Sequence, residues 1–311
     1  MKRLTFLTIF FLISTLTLEC QVISGQSPVR EVSIAPARKS PDSRILDKYS
    51  FFAESDVDFG IPRVEKKFPK RAALIIGNEN YAAYSKNDSD NVPFARRDAL
   101  VFRRYAIDLL GIDSTNVLCE VDQTYMQMLD LIERFIRFFG TDFDELVFYY
   151  AGHGLPLTGS NSPSLLPVDD TRRGIPLQDI YKQFAGLNAT RITVFMDACF
   201  SGKGRGGQLL AGTRRVGIKP KPAELYGNMV VFSATGEDQV ANPYKEQNHG
   251  LFTYFLLKKM KESSGKVSYN DLILFLRQEV RYKSIDSNFQ LPEVICSPNI
   301  KEEEWKSWSF H

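Results

Sequence analysis

Two segments, Tyr149-Tyr150-Ala151-Gly152-His153-Gly154 and Met196-Asp197-Ala198-Cys199-Phe200-Ser201-Gly202, stand out by the side chains at their centres. Each closes an apolar run with small residues around one reactive group, an imidazole in the first and a thiol in the second. A thiol beside an imidazole is the equipment of a cysteine nucleophile and its general base. Taken singly, His153 reads as a satisfied core histidine and Cys199 as an inert buried thiol. The chain holds only three His and four Cys, so two matching contexts are hard to assign to chance.

These side chains need a frame that brings them together. Four short apolar runs, Ala72–Ile76, Leu146–Tyr150, Ile192–Met196 and Met229–Phe232, show no polar alternation. Each therefore predicts a strand covered on both faces, as in a parallel sheet. Asn116–Val121 is a weaker run and suits an edge strand. Helical patterns fall between them at Pro93–Leu110, Tyr125–Phe139, Leu177–Phe184, Leu251–Lys261 and Ser268–Tyr282, the last opening on the cap-like Ser268-x-x-Asp271. Alternating strands and helices predict an α/β fold, a three-layer αβα sandwich with a mostly parallel sheet. Ligands of such sheets sit beyond the carboxyl ends of the strands, which is where His153 and Cys199 fall.

The surrounding residues suit acyl transfer. Small neighbours leave room for a peptide, and the backbone N–H groups of Cys199 and Gly154 are candidates for an oxyanion hole. Asp197 lies two residues before Cys199 and shares its side of the strand. Asp98 lies on a stripe with Phe94, Val101, Tyr105 and Leu109, an apolar face on which an unpaired carboxylate is expensive. Asp98 either bonds local backbone or lines a pocket that receives a cation. Carboxylates at 98 and 197 would favour Arg or Lys before the cut bond. His249, in Asn248-His249-Gly250 before a helix, reads as a turn or helix cap.

The remaining chain sets limits. A formal net charge of +2 with 24% charged residues gives no reason to expect nucleic-acid binding. Met1-Lys2-Arg3 followed by the uncharged run Leu4–Leu18 fits a signal peptide over residues 1–24, which predicts export (periplasm, cell surface or extracellular space) and no membrane span after its removal. Glu19 before Cys20 disfavours lipidation of that cysteine. Residues 25–70, rich in Ser, Pro, Lys and Arg, read as a linker or pro-segment, and 298–311 as a C-terminal tail. Cysteine spacing supports neither a disulfide framework nor zinc.

The motifs resemble those of the caspase-like cysteine peptidases, nearest to the metacaspase and bacterial caspase-homologue branch. The matching pieces are Ala73-Leu74-Ile75-Ile76-Gly77-Asn78 with Tyr81, Arg97-Asp98-Ala99, Tyr150-Ala151-Gly152-His153-Gly154, Leu166-Pro167-Val168-Asp169, Asp197-Ala198-Cys199-Phe200-Ser201-Gly202 and His249-Gly250-Leu251-Phe252-Thr253. They span a domain at 71–297, and the 46 residues from His153 to Cys199 agree with the family's spacing. The resemblance implies a His153/Cys199 dyad, an oxyanion hole that includes Gly154, and a first subsite in which Asp98 and Asp197 take basic side chains of protein or peptide substrates.

Three departures qualify it. Asp197 stands where caspases carry a glutamine, which argues against cleavage after Asp. Ala151 and Ala95 replace a serine and a cysteine common in metacaspases. At the positions of the calcium site, Ser162, Gln178, Asp179 and Gly206, only one acid is present, so activity without calcium or any other cofactor is the expectation. The basic stretch Gly202–Pro222, with Lys203, Arg205, Arg214, Arg215, Lys219 and Lys221, is a candidate for self-cleavage or a solvated loop.

Overall fold

The computed structural model describes residues 55–156, 162–200, 223–236 and 239–311. The expected signal peptide, most of the expected linker or pro-segment, Ser201, Gly202 and the basic stretch lie outside the described residues.

The central sheet has six strands, β1 (Arg71–Gly77), β2 (Val117–Val121), β3 (Glu145–Ala151), β4 (Arg191–Asp197), β5 (Met229–Ser233) and β6 (Glu293–Cys296). Their order across the sheet is β6-β5-β4-β3-β1-β2. All neighbours are parallel except β6, which runs antiparallel to β5. The apolar runs expected to be covered on both faces are, with every residue of β1 buried. Val117–Val121 takes the edge, as its mixed composition suggests. β6 was not expected: it is four residues long and half exposed, too short and too open for its period to register.

Alternation within the strands feeds two separate cores. Ala73, Ile75, Tyr149, Phe195 and Phe232 point to one face, against α1 (Ala95–Asp108), α4 (Leu251–Glu262) and α5 (Tyr269–Ser284). Leu74, Ile76, Phe148, Tyr150, Val194 and Met196 point to the other, against α2 (Tyr125–Phe139) and α3 (Leu177–Ala185). This is the three-layer αβα sandwich predicted. α1 starts at Ala95 rather than Pro93 because Phe94 takes a left-handed conformation, φ 71°, that ends the preceding turn. Gly77 closes β1 where α1 comes nearest: a Cβ there would lie 2.6 Å from the Ala99 methyl.

Two segments read as peripheral pack into the first core. In the C-terminal stretch, α6 (Glu302–Ser307) brings Trp305 inward, and the Phe310 ring lies tilted against Tyr269, centroids 5.2 Å apart. At the other end Val57 is buried with the same cluster, and Tyr105 Oη donates to its carbonyl at 2.8 Å. Both contacts escape a reading of periodicity for one reason, that a few apolar residues in a polar stretch leave no periodic trace while still packing against the core. No helix among the described residues is long and apolar enough to cross a membrane.

Candidate active site

Strand register fixes where the reactive residues fall. Ala151 of β3 pairs with Asp197 of β4, and Gly77 of β1 pairs with Ala151. His153 and Cys199 are therefore each two residues past paired ends of adjacent strands, which lie about 4.8 Å apart. The two loops touch directly. A Cβ on Gly154 would sit 2.8 Å from the Cys199 carbonyl oxygen and would strike the Phe200 ring, so glycine is what lets them close.

His153 is held on several sides and is 2% exposed. Its backbone N–H donates to Tyr81 Oη at 3.0 Å, and its carbonyl accepts from Tyr150 Oη at 2.7 Å and from Leu166 N at 3.0 Å. The Tyr81 ring lies against the imidazole, centroids 4.5 Å apart. Burial raises the pKa of both phenols, so each stays a neutral hydrogen-bonding group. Asn78, just past β1, ties the same loops together: its Nδ2 donates to Leu166 O at 3.0 Å and its Oδ1 accepts from Gln123 N at 2.9 Å.

Imidazole Nε2 lies 2.7 Å from the carbonyl oxygen of Asp90. A carbonyl can only accept, so Nε2 carries a proton and Nδ1 of the neutral ring carries the lone pair. Asp90 ends a short 3-10 turn, Asp88–Asp90, which Asn87 caps by accepting from Ser89 N. Sequence reading missed this partner. A main-chain oxygen leaves no mark on residue type.

Cys199 is 3% exposed, and its Sγ accepts from the backbone N–H of Ala241 at 2.9 Å. An amide aimed at sulfur stabilises the thiolate relative to the thiol. Ala241 precedes a two-stranded hairpin, Pro243–Tyr244 with His249–Gly250. This donor, too, is a main-chain atom that sequence could not flag.

The two carboxylates expected near the thiol are both fully buried. Asp197 Oδ2 accepts from Thr253 Oγ1 at 2.7 Å. That hydroxyl has spent its proton on Asp197, so Tyr149 Oη, 2.7 Å away, is the donor to it. Asp98 accepts from Gly250 N and from His249 Nδ1, the latter at 2.7 Å. His249 Nε2 meets a third acid, Asp58 Oδ1, at 3.0 Å, and Asp58 is also paired with Arg97. His249 is thus neither a simple turn residue nor a helix cap but the centre of a buried Asp58–His249–Asp98 cluster. Asp58 belongs to the stretch read as linker, so the cluster could not be assembled from the motifs.

Burial pushes Asp58 up, but hydrogen bonds and charge from His249 and Arg97 outweigh it and hold the carboxyl at about 2. Burial pushes His249 down, and its two carboxylates more than reverse that. Among the described residues, Cys119 and Cys296 are not joined in a disulfide. Among the described residues no group of three or more His, Cys, Asp or Glu could hold a metal ion.

A mostly parallel six-stranded sheet with a histidine and a cysteine past adjacent strand ends defines a caspase-like α/β sandwich. The chain belongs to the caspase domain family, whose pattern matches residues 70–302. Among curated proteins it is 23% identical over 195 residues to a "probable protease" of a Desulfuromonadales bacterium, covering 56% of this chain. The chain spans about a quarter of that relative's length, 24%. Among solved structures it is similar to a Geobacter sulfurreducens protein, at 17% identity and TM-score 0.55 over 76% of this chain and 97% of the other. It is also similar to caspase-1 from Spodoptera frugiperda, at 15% identity and TM-score 0.51 over 79% and 94%. At these identities the structural matches speak for the fold alone.

Proposed function

We propose that the protein is a cysteine endopeptidase that cleaves after Arg or Lys through a His153/Cys199 dyad. The observation that carries this reading is the register of β3 on β4, which sets both residues two positions past paired strand ends. In the proposed cycle, His153 Nδ1 takes the Cys199 proton and the thiolate attacks the scissile carbonyl. The amides of Gly154 and Cys199 receive the oxyanion. The amine leaves with the proton from His153, and water then hydrolyses the thioester. Asp90 fixes the tautomer this requires, so no third carboxylate is needed.

Basic preference is assigned to the negative charge of Asp98 and Asp197. Asp98 shares its charge with His249, which gives Asp197, two residues from the nucleophile, the larger part. We further propose export through the N-terminal signal, self-processing in the basic stretch 202–222, and activity without calcium, in the manner of a metacaspase-like branch that has lost that site.

The test is to assay the purified full chain against arginyl, lysyl and aspartyl reporter peptides, with and without chelator, and to label it with an arginyl acyloxymethyl ketone. The expected result is hydrolysis of the arginyl and lysyl reporters, unaffected by chelator, with one label on Cys199. Preference for Asp would overturn the two-carboxylate pocket. A folded protein that neither hydrolyses nor takes the label would instead be a catalytically silent, caspase-like binding domain.

A further inference from the structure

The stretch Ser55–Phe59 is built into the domain by contacts a spacer has no use for. Ser55, Val57 and Asp58 are buried. Ser55 Oγ donates to Gln247 Oε1 at 2.8 Å, and Ser55 N donates to Asp58 Oδ2 at 3.0 Å. Arg104 holds the Asp58 carbonyl at 2.6 Å, and Lys261 Nζ holds the carbonyls of Asp56 and Phe59 at 2.6 and 2.8 Å. These contacts deliver one carboxylate, Asp58, to the His249 ring.

His249 lies on the hairpin that leads back to the nucleophile. His249 pairs with Tyr244 and Gly250 with Pro243. Leu251 N then donates to Asn242 O at 2.9 Å, and the residue before Asn242 is Ala241, whose N–H meets Cys199 Sγ. Asn242 has a second anchor, its N–H donating to Gln290 Oε1 at 2.8 Å. The return strand of the hairpin is therefore clamped by Asp58 and Asp98, while its outgoing end carries the donor to sulfur. We propose that Asp58, acting through His249, is a positioning residue for the Cys199 sulfur, fixing the hairpin from which the Ala241 amide reaches Sγ. The Ser55–Phe59 stretch is then a part of the active domain and not an inhibitory leader.

The inference rests on Cys199 being the nucleophile, yet it is read without any peptide substrate. The charged groups around His249 are Asp58 and Asp98, with Arg97 on the far side of Asp58. Full-length wild type, Asp58→Asn and His249→Asn are alkylated with iodoacetamide across pH, and the Cys199 peptide is followed by mass spectrometry. In His249→Asn the amide stands where Nδ1 stood, so the Asp98 bond is kept and the Asp58 bond is lost. Both variants are expected to move the midpoint of the Cys199 profile up by about one pH unit and to slow labelling at neutral pH about tenfold. Tyr269→Phe, which loses a buried bond to Thr193 in the body of β4, is expected to lower the melting temperature and leave the profile in place.

Wild-type profiles in folded Asp58→Asn and His249→Asn would overturn the inference. Should neither fold, Val57→Ala, which loosens the same stretch more gently, has to shift the profile in the same direction, and no shift would overturn it equally. Displaced profiles in a protein whose wild type hydrolyses no reporter would refute the peptidase and leave the positioning role standing.

Discussion

Replacing His249 by Ala should cost more stability than any other single change near the site, and the loss should depend on pH with a definite sign. Both ring nitrogens face carboxylate oxygens, Asp98 at 2.7 Å and Asp58 at 3.0 Å, so the ring carries two N–H groups and a positive charge. The folded His249 holds its proton more tightly than the usual 6.5 of the unfolded chain. Its contribution is accordingly complete below about pH 6.5 and drains away as pH rises through the folded value. Asp58, held at about 2 against the usual 3.8, behaves oppositely: its contribution is complete above 3.8 and lost as pH falls towards 2. Only between about pH 4 and about pH 6.5 are both complete.

The Asp58 difference alone is worth about 2 kcal/mol. Removing the imidazolium takes the shared cation from two buried carboxylates, leaving Asp58 with Arg97 and the Ser55 amide and Asp98 with the Gly250 amide, and breaking a buried pair in this way costs about 3–5 kcal/mol. Against a domain stability of about 5–15 kcal/mol that is a large fraction. Urea unfolding of wild type and His249→Ala at about pH 5.5 and about pH 8.5 measures it. The difference between the two proteins should be about 3–5 kcal/mol at the lower pH and clearly smaller at the higher. A difference under about 1 kcal/mol at the lower pH, or one that does not change with pH, would show that the ring is not a buried cation.

Three further outcomes bear on the site. Cys199→Ala should abolish hydrolysis of arginyl reporters with the melting temperature nearly unchanged, since it removes one sulfur; measurable turnover would sink the dyad. Gly154→Ala should lower kcat/KM at least about a hundredfold, because its methyl would meet the Cys199 carbonyl 2.8 Å away and force the His153 and Cys199 loops apart, a change of about 1 Å being enough for such a loss; wild-type kinetics would mean the loops do not need that contact. Asp197→Asn should depress kcat/KM for arginyl reporters far more than it slows iodoacetamide labelling of Cys199, and equal losses would make Asp197 a support for the thiol instead of a reader of substrate.

What was legible in the sequence is what depends on neighbours along the chain. The strand runs were found to within about a residue, and Tyr125–Phe139 has the bounds its apolar period predicts. The sheet-edge placement of His153 and Cys199 followed from those runs, since a parallel sheet aligns all its carboxyl ends. Asp98 was visible as a carboxylate on an apolar stripe and hence as a group in need of a partner. Its partner was not, because His249 is 151 residues away and Asp58 sits in a polar stretch with no pattern of its own. Trp305, Trp308 and Phe310 did leave a signal: three aromatics in the last seven residues are more than a solvated tail has use for.

The rest was hidden for a chemical reason. The proton on His153 is placed by the Asp90 carbonyl, and the sulfur of Cys199 is met by the Ala241 amide. Every residue has a carbonyl and every residue but proline an amide, so neither role constrains residue type at 90 or 241 beyond excluding Pro at the second. What the sequence must encode instead is the geometry that brings those atoms to the site. For Asp90 that is the Asn87 cap on a single turn, and for Ala241 it is a hairpin clamped at His249 by two buried acids. Selection on such a site would then act on Asn87, Asp58 and His249, side chains outside the proposed dyad, as firmly as on that dyad itself. An exchange at Ala241 to another small residue should consequently be tolerated, whereas Ala241→Pro, which deletes the N–H and also fixes φ at that position, should slow labelling of Cys199 as the loss of Asp58 does.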